Sequence, residues 1–383
     1  MTKRHIKYIS GTRADYGLIR NTLFEIAKHP NLKLSIIATG IHLMPEFGTT
    51  IDEIRRDGFD VHEIKATYKR DDRAAMSEFI GELIIQLTEL FKDPANRPDL
   101  LLVLGDRGEM LAAAVVGVYL GIPIAHIHGG DVTSTVDEAS RHAITKLAHI
   151  HLPATSESAE RIIKMGQEKK HVYVVGAPGL DEIRKLAITK KEVEKILGIK
   201  LDEKYAIITQ HPVTEEISLA KNQMKETIEA VLLSKLQAII TYPNADAGGR
   251  AMIKVIEEYA NNSKIKIFKN IPHEAFLGLM KYASVMIGNS SSGIIEAASF
   301  KLPVVNIGTR QEGRQRTYNV IDAGYDRKDI ASAINKALND KKFIAGLREC
   351  KNPYGDGKTG SRIAKILADI SLDKGLLQKK MTY

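Results

Sequence analysis

Tryptophan is absent from this 383-residue chain, other aromatics are few, and cysteine occurs once, at Cys350. A lone thiol excludes a disulfide within the chain and suits a reducing compartment, the cytoplasm. No apolar run approaches the ~18 residues that a bilayer span requires. The opening Met1-Thr2-Lys3-Arg4-His5 runs straight into strand-like Ile6-Lys7-Tyr8-Ile9, without the apolar core of a secretion signal. Secretion and membrane insertion are therefore not expected. Also missing are low-complexity segments, short-period repeats, a Gly-x-Gly-x-x-Gly dinucleotide fingerprint and a Walker A phosphate loop. The formal charge of +8 is scattered among acids along helices and forms no tract for nucleic acid. It would equally draw in a small phosphorylated substrate.

What the chain does have is alternation. Short β-branched runs at Lys7–Ser10, Leu34–Thr39, Leu100–Gly105, Ile122–Ile127, Ile150–Ala154 and Val172–Gly176 are separated by amphipathic helical stretches. The pattern restarts at Tyr205–Gln210 and continues through Ala238–Tyr242, Lys264–Phe268, Val285–Gly288 and Val304–Ile307. This is the signature of parallel sheets covered by helices, and the length alone suggests two or three domains at ~150 residues each. The expected fold is α/β with two doubly wound units. Their boundary falls near Gly176-Ala177-Pro178-Gly179, and Thr189 to Leu197 forms a helical lead into the second unit.

Ligands of open parallel sheets bind beyond the carboxyl ends of the strands. The residues there are small and polar: Gly11-Thr12-Arg13, Thr39-Gly40, Gly105-Asp106-Arg107, Gln210-His211-Pro212, Pro243-Asn244, Asn289-Ser290-Ser291-Ser292-Gly293 and Gly308-Thr309-Arg310. If the two sheets face each other, these clusters line one interdomain cleft. The densest chemistry lies from His126 to His149, with four imidazoles, three carboxylates and one guanidinium around a loop and the helix it opens. Thr135-Val136-Asp137-Glu138 is a capping-box pattern. At ~100° per residue, Val136, Ala139, Ala143, Leu147 and Ile150 predict one apolar stripe, with Asp137 and Arg141 on the adjoining face.

Several of these residues support two readings. Arg13 either faces a phosphate or pairs with Asp15. Asp106 ends a buried strand, aimed at a ligand or neutralised by Arg107. The serines before Ile294 either bind a diphosphate, with Glu296 accepting from ribose hydroxyls, or merely cap a helix. His211 is either a packed or a functional strand-end histidine. His126, His128, Asp131 and His142 include metal-ligand types, but their spacing matches no recognised ligand signature, so no metal is expected.

Taken together, GTRADYG at Gly11–Gly17, GDR at Gly105–Arg107, HIHGGD at His126–Asp131, DEASRHAITKLAH from Asp137, QHP at Gln210–Pro212 and NSSSGIIEA at Asn289–Ala297 resemble the hydrolysing UDP-N-acetylglucosamine 2-epimerases of sialic-acid synthesis. The resemblance covers nearly the whole chain. It implies a GT-B-type fold of two Rossmann-like domains, residues 1–176 carrying acid/base groups and 177–360 binding nucleotide, with a 361–383 helix packing back on the first. It also implies a homodimer or dimer of dimers. The non-hydrolysing sister enzymes typically begin Gly-Thr-Arg-Pro-Glu and carry a catalytic glutamate where this chain has His128. Both departures favour the hydrolysing branch. Where that branch often has glutamate after Gly-Gly, this chain has the shorter Asp131.

The implied reaction converts UDP-N-acetylglucosamine and water into N-acetylmannosamine and UDP, by anti elimination to 2-acetamidoglucal and then hydration. Enzymes acting on UDP- or GDP-linked diacetamido-trideoxy sugars share the motifs and form the alternative. By resemblance, Asp106, Asp131 and Asp137 transfer protons and stabilise positive charge, with Arg141 and His142 orienting them. Arg13, His211 and the Ser291 and Ser292 amides hold the diphosphate, with Glu296 on the ribose. His128, Asn244, Ser290, Gly293 and Arg314 complete the expected substrate contacts, and no cofactor is implied. A GT-B glycosyltransferase and a non-catalytic nucleotide-sugar sensor are the rival functions. The several acids of the first domain argue against both, since a transferase needs at most one base.

Overall fold

The computed structural model describes residues 3–45, 50–69, 73–132, 136–243, 248–380 and 382, and for Arg73, Val136, Asp137, Thr214 and Glu215 it describes the backbone alone. The chain divides into two compact units, Met1–Glu182 with Tyr354–Tyr383, and Ile183–Pro353. Both are Rossmann-like, giving the α/β, GT-B-type class expected above.

In the first unit the strands are β1 (Arg4–Ser10), β2 (Leu32–Ala38), β3 (Asp60–Glu63), β4 (Leu100–Leu104), β5 (Ile124–Ile127) and β6 (Ile150–Leu152). They lie in the order β3-β2-β1-β4-β5-β6, all parallel. The second unit repeats the plan with β7 (Tyr205–Thr209), β8 (Gln237–Thr241), β9 (Ile265–Phe268), β10 (Val285–Gly288), β11 (Val304–Ile307) and β12 (Val320–Ala323), ordered β12-β11-β10-β7-β8-β9. Each order reverses once, between β1 and β4 and between β7 and β10. Those switch points are where the strand ends part to leave room for a ligand.

Central strands read as unbroken apolar runs because helices cover both sheet faces. Every residue of β4, Leu-Leu-Leu-Val-Leu, is buried, and β7 is buried throughout. Edge strands β3 and β12 escaped the sequence reading. Asp60, His62 and Glu63 leave β3 half-exposed, with too little apolar signal in four residues to mark a strand. Val172–Gly176, read as a strand, is instead an extended segment. Val172 forms an isolated bridge with His151, and the Tyr173 and Val175 amides donate to the His151 and Pro153 carbonyls at 2.9 and 3.0 Å.

Thr189 caps the Lys190–Leu197 helix in a full capping box with Glu192, and Gly198 ends it in the left-handed region. The Thr359–Asp369 helix belongs to the first unit. Its Thr359 and Gly360 amides donate to Asp181 at 2.8 and 2.7 Å. It packs on the Arg13–Lys28 helix so closely that a Cβ on Gly360 would lie 2.9 Å from the Thr22 Cα.

Candidate active site

Directly after β4 comes Gly105, whose φ of 75° turns the chain and delivers Asp106 beyond the sheet. Directly after β5, the neighbouring strand, comes His128, itself left-handed at φ 59°, followed by Gly129-Gly130 and Asp131. A Cβ on Gly130 would sit 2.4 Å from the Ser158 carbonyl oxygen, so only glycine lets this loop lie against the Ser156–Lys164 helix. That helix returns the contact, since Ser158 Oγ donates to Asp131 Oδ1 at 2.6 Å.

Arg141, on the Val136–Leu147 helix, joins these parts. It is only 5% exposed. Its guanidinium donates to Asp106 Oδ2 and, at 3.1 Å, to the His128 carbonyl, and it lies 3.6 Å from Asp131 Oδ2. Asp131 Oδ2 also meets His128 Nδ1 at 3.1 Å. Burial alone would push the Asp131 carboxyl up, but the His128 ring, the Arg141 charge and the Ser158 hydroxyl hold it far below the usual carboxylate range. The outcome is a cation clamped between two carboxylates, one of which grips an imidazole.

The expected apolar stripe is therefore corrected. Ala139 and Ala143 are exposed, and the face turned inward is Arg141, Ile144, Thr145 and Ala148. The ion pairs and hydrogen bonds of Arg141, the contact of Thr145 with His126 and the burial of Ile144 outweigh the small gain from burying two alanine methyls. Of the two readings left open for Asp106, neutralisation by Arg107 is not what the structure has, since Arg107 binds Glu109 at 3.1 Å and Asp106 pairs with Arg141. His142 pairs along its own helix with Glu138 at 3.4 Å, and its buried Nδ1 has no partner among the described residues. Asp137 sits in the first turn of the same helix, and its side chain lies outside the described residues.

His126 is fully buried, and burial pushes its pKa down to about 3. Its Nε2 meets the Gly105 carbonyl at 2.7 Å and its Nδ1 meets Thr145 Oγ1 at 3.3 Å, so a neutral ring ties β5 to the Asp106 turn and the Arg141 helix.

At the switch point beside β1, the Gly11 and Thr12 amides donate to Asp15 Oδ2 at 3.0 and 2.8 Å, and Thr12 and Asp15 form a capping box. The carboxylate that satisfies this turn comes from the chain itself, and Arg13 pairs with Glu53 at 3.2 Å instead of with Asp15. Burial raises the Asp15 pKa to about 6, with Ser10 opposing and the Glu109 charge reinforcing. Glu109 is wholly buried against Gly11, where a Cβ would come within 2.2 Å of Glu109 Oε1. Glu109 escaped the sequence reading. The one usable signal was a glutamate two residues after Arg107 at a strand end.

In the second unit, Asn289 bridges the switch point, its Oδ1 accepting from the His211 amide at 2.7 Å and its Nδ2 donating to the His211 carbonyl at 2.9 Å. A Cβ on Gly288 would lie 2.1 Å from the Thr209 carbonyl oxygen, so glycine is required where β10 closes on β7. Burial, with Arg310 nearby, lowers the His211 pKa to about 4. Ser290 caps the Ser291–Ile295 helix, its Oγ accepting from the Ser292 amide at 3.4 Å. Gly293 packs so tightly that a Cβ would stand 3.0 Å from Val304 Cγ1. Glu296 follows, 7% exposed, its carboxyl pushed up by burial against Ser292, His273 and Arg314, and its Oε2 has no partner among the described residues. Arg314 is half-buried, and Asn244 lies outside the described residues. Among the described residues no three His, Cys, Asp or Glu side chains are grouped to hold a metal, and no helix is long and apolar enough to cross a membrane.

A family model described as UDP-N-acetylglucosamine 2-epimerase matches residues 24–368. The chain is 41% identical, over 99% of its length and 100% of the relative's, to a hydrolysing UDP-N,N'-diacetylbacillosamine 2-epimerase of Legionella pneumophila. It is 37% identical to a hydrolysing GDP/UDP-N,N'-diacetylbacillosamine 2-epimerase of Campylobacter jejuni, over 90% of this chain and 89% of that one. Identity is 35%, over 89% of both chains, with a UDP-N-acetylglucosamine 2-epimerase of Neisseria meningitidis. In fold it resembles a crystal structure of the Neisseria meningitidis UDP-GlcNAc 2-epimerase bound to UDP-GlcNAc, with TM-score 0.80 at 19% identity over 95% of this chain and 99% of that one.

Proposed function

This chain belongs to the UDP-N-acetylglucosamine 2-epimerase family and is a hydrolysing nucleotide-sugar 2-epimerase, and from that premise we propose that its substrate is UDP-N,N'-diacetylbacillosamine. The products are UDP and the manno-configured diacetamido sugar. The observation that carries this choice is the 41% identity over both full lengths with the Legionella enzyme, against 35% over 89% with the Neisseria UDP-N-acetylglucosamine enzyme. UDP-N-acetylglucosamine, the first choice from the sequence, becomes the second reading.

Elimination across C1 and C2 must break the C1–O bond ahead of the weakly acidic C2–H, so positive charge builds at C1 while a base waits at C2. In this proposal Asp106, the more exposed of the two clamped carboxylates, takes the C2 proton, and Arg141 holds it in place. Asp131 is held on the ionised side by the His128 ring, the Arg141 charge and the Ser158 hydroxyl. It fixes the His128 tautomer, with hydrogen on Nδ1, and leaves Nε2 to pass a proton during hydration. Asp137 and His142 stand beside this group as further acid/base candidates. The second unit holds the leaving group: Ser290, Ser291 and Ser292 on the diphosphate, with Arg314 contributing charge. Glu296 Oε2, buried and without a partner among the described residues, accepts from the ribose hydroxyls. His211, Asn244 and Gly293 complete the nucleotide contacts. A homodimer or dimer of dimers in the cytoplasm is part of the same proposal and is read by light scattering of the intact chain.

Initial rates on the two sugar nucleotides side by side test the substrate. The proposal expects kcat/KM at least ~10-fold higher for the diacetamido substrate, the discrimination that one well-placed group supplies. A preference for UDP-N-acetylglucosamine overturns it.

A further inference from the structure

The switch point between β1 and β4 holds an ion pair that the roles above leave unused. Glu109 stands in the first turn of the Gly108–Leu120 helix with its side chain wholly buried. Its Oε2 accepts from Arg107 Nε at 3.2 Å, and its Oε1 accepts from Arg107 Nη2 at 3.1 Å and from the Tyr68 hydroxyl at 3.3 Å. Tyr68 is fixed in turn, stacked on Phe79 with ring centroids 4.3 Å apart. The carboxylate lies against the turns that follow β1 and β2, since a Cβ on Gly11 would overlap it and one on Gly40 would stand 3.3 Å from Oε1. Asp106 therefore leans toward β5 through Arg141, while the next residue leans toward β1 and β2 through Glu109. The Arg107 side chain stays 38% exposed. Sealing a carboxylate from water is costly, and a cation that keeps part of its own hydration offsets that cost incompletely, so stability alone gives little reason for the pair. What the pair achieves is geometric. A two-point grip fixes the plane of the guanidinium and leaves it hydrogens for an acceptor outside the grip.

We infer that Arg107 contacts the substrate, donating to the carbonyl oxygen of the acetamido group at C2 of the sugar, and that Glu109 is the positioning residue that aims it. Given Asp106 as the base at C2, the reading on which this assignment rests, C2 comes to lie beside the residue that follows Asp106 in the chain. The acetamido group is the substituent of that same carbon. With Glu109 attached, the pair carries no net charge and pulls only weakly on a diphosphate. A guanidinium hydrogen bond to a neutral carbonyl nevertheless keeps its charge-assisted strength. Arginine suits the task better than lysine, because its planar fork can hold Glu109 with one edge and the carbonyl with another. The contact also bears on the reaction. Donation to the carbonyl draws electron density from the amide nitrogen and so from C2, which eases removal of the C2 hydrogen by Asp106.

The test is calorimetric binding of two C-glycosidic phosphonate analogues, those of UDP-N-acetylglucosamine and of UDP-glucose, to the full-length chain. Neither analogue can release UDP, and the two differ only at C2. The native chain is expected to bind the acetamido analogue ~10-fold or more tighter than the hydroxyl analogue. Arg107→Gln combined with Glu109→Gln removes both charges and leaves no carboxylate buried alone. It should bring the two affinities together while affinity for UDP itself stays unchanged. Glu109→Gln by itself keeps the guanidinium but releases the grip, and should lose most of the preference. A native chain with no preference overturns the assignment, as does a preference that survives the double substitution or an equal loss for both analogues. A preference that survives Glu109→Gln alone overturns the positioning role. Both candidate sugars carry the C2 acetamido group, so failure of the diacetamido substrate in the rate comparison leaves this result untouched, and the two failures are told apart.

Discussion

Arg141 is a cation sealed under the protein surface, and its two carboxylates are what make that burial tolerable. Removing it takes the cation from Asp106 and leaves Asp131 with His128 and Ser158 alone, and breaking a buried ion pair in this way typically costs about 3–5 kcal/mol. Arg141→Gln is therefore expected to lower the urea midpoint as well as turnover. Asp131→Asn is milder for the fold, because the amide oxygen can still accept from Ser158, but it releases the His128 tautomer. Turnover should fall ~10²–10⁴-fold with UDP affinity, measured by calorimetry, nearly intact, and full activity would remove Asp131 from the scheme. The acids were legible in the sequence because they end apolar strands. The burial of Arg141 was not, because a periodicity count scores arginine as outward and alanine as inward, and knows nothing of a partner 35 positions away.

The elements that present these residues are held by polar ties as well as by packing. The turn after β1 closes on Asp15, whose pKa rises from 3.8 to about 6 as burial wins over the Ser10 and Thr12 hydrogen bonds. Above the folded value the ionised carboxylate weakens the fold in full, and below the unfolded value this effect vanishes. Stability from this group therefore grows as pH falls through about 6 toward 3.8. Relative to Asp15→Asn, the wild-type chain should gain ~3 kcal/mol across that window, the equivalent of roughly two pKa units. Urea unfolding at a series of pH values measures it, and parallel curves for the two chains would refute it. Central strands and the capped Lys190–Leu197 helix were readable because apolar runs and Thr-x-x-Glu are local signals. β3, β12 and the Val172–Gly176 segment were not, since an edge strand is defined by its neighbour more than by its own side chains.

At the scale of the whole molecule, two sheets of like strand order each expose a switch point, one carrying acids and an arginine, the other serines and a buried glutamate. The proposed roles route no step through a metal, so dialysis against a chelator should leave turnover unchanged, and recovery by added divalent ions would contradict those roles. The reaction type was readable from the motifs scattered along the chain. The sugar was not, because substituents at C4 and C6 are read by side-chain shape in the folded site and leave no motif behind. The central claim is hydrolysis with inversion at C2, and proton NMR of the intact protein with UDP-N,N'-diacetylbacillosamine in D₂O tests it most directly. Free UDP and a manno-configured diacetamido sugar deuterated at C2 are the expected products. A product that retains hydrogen at C2, or one still attached to UDP, would contradict it.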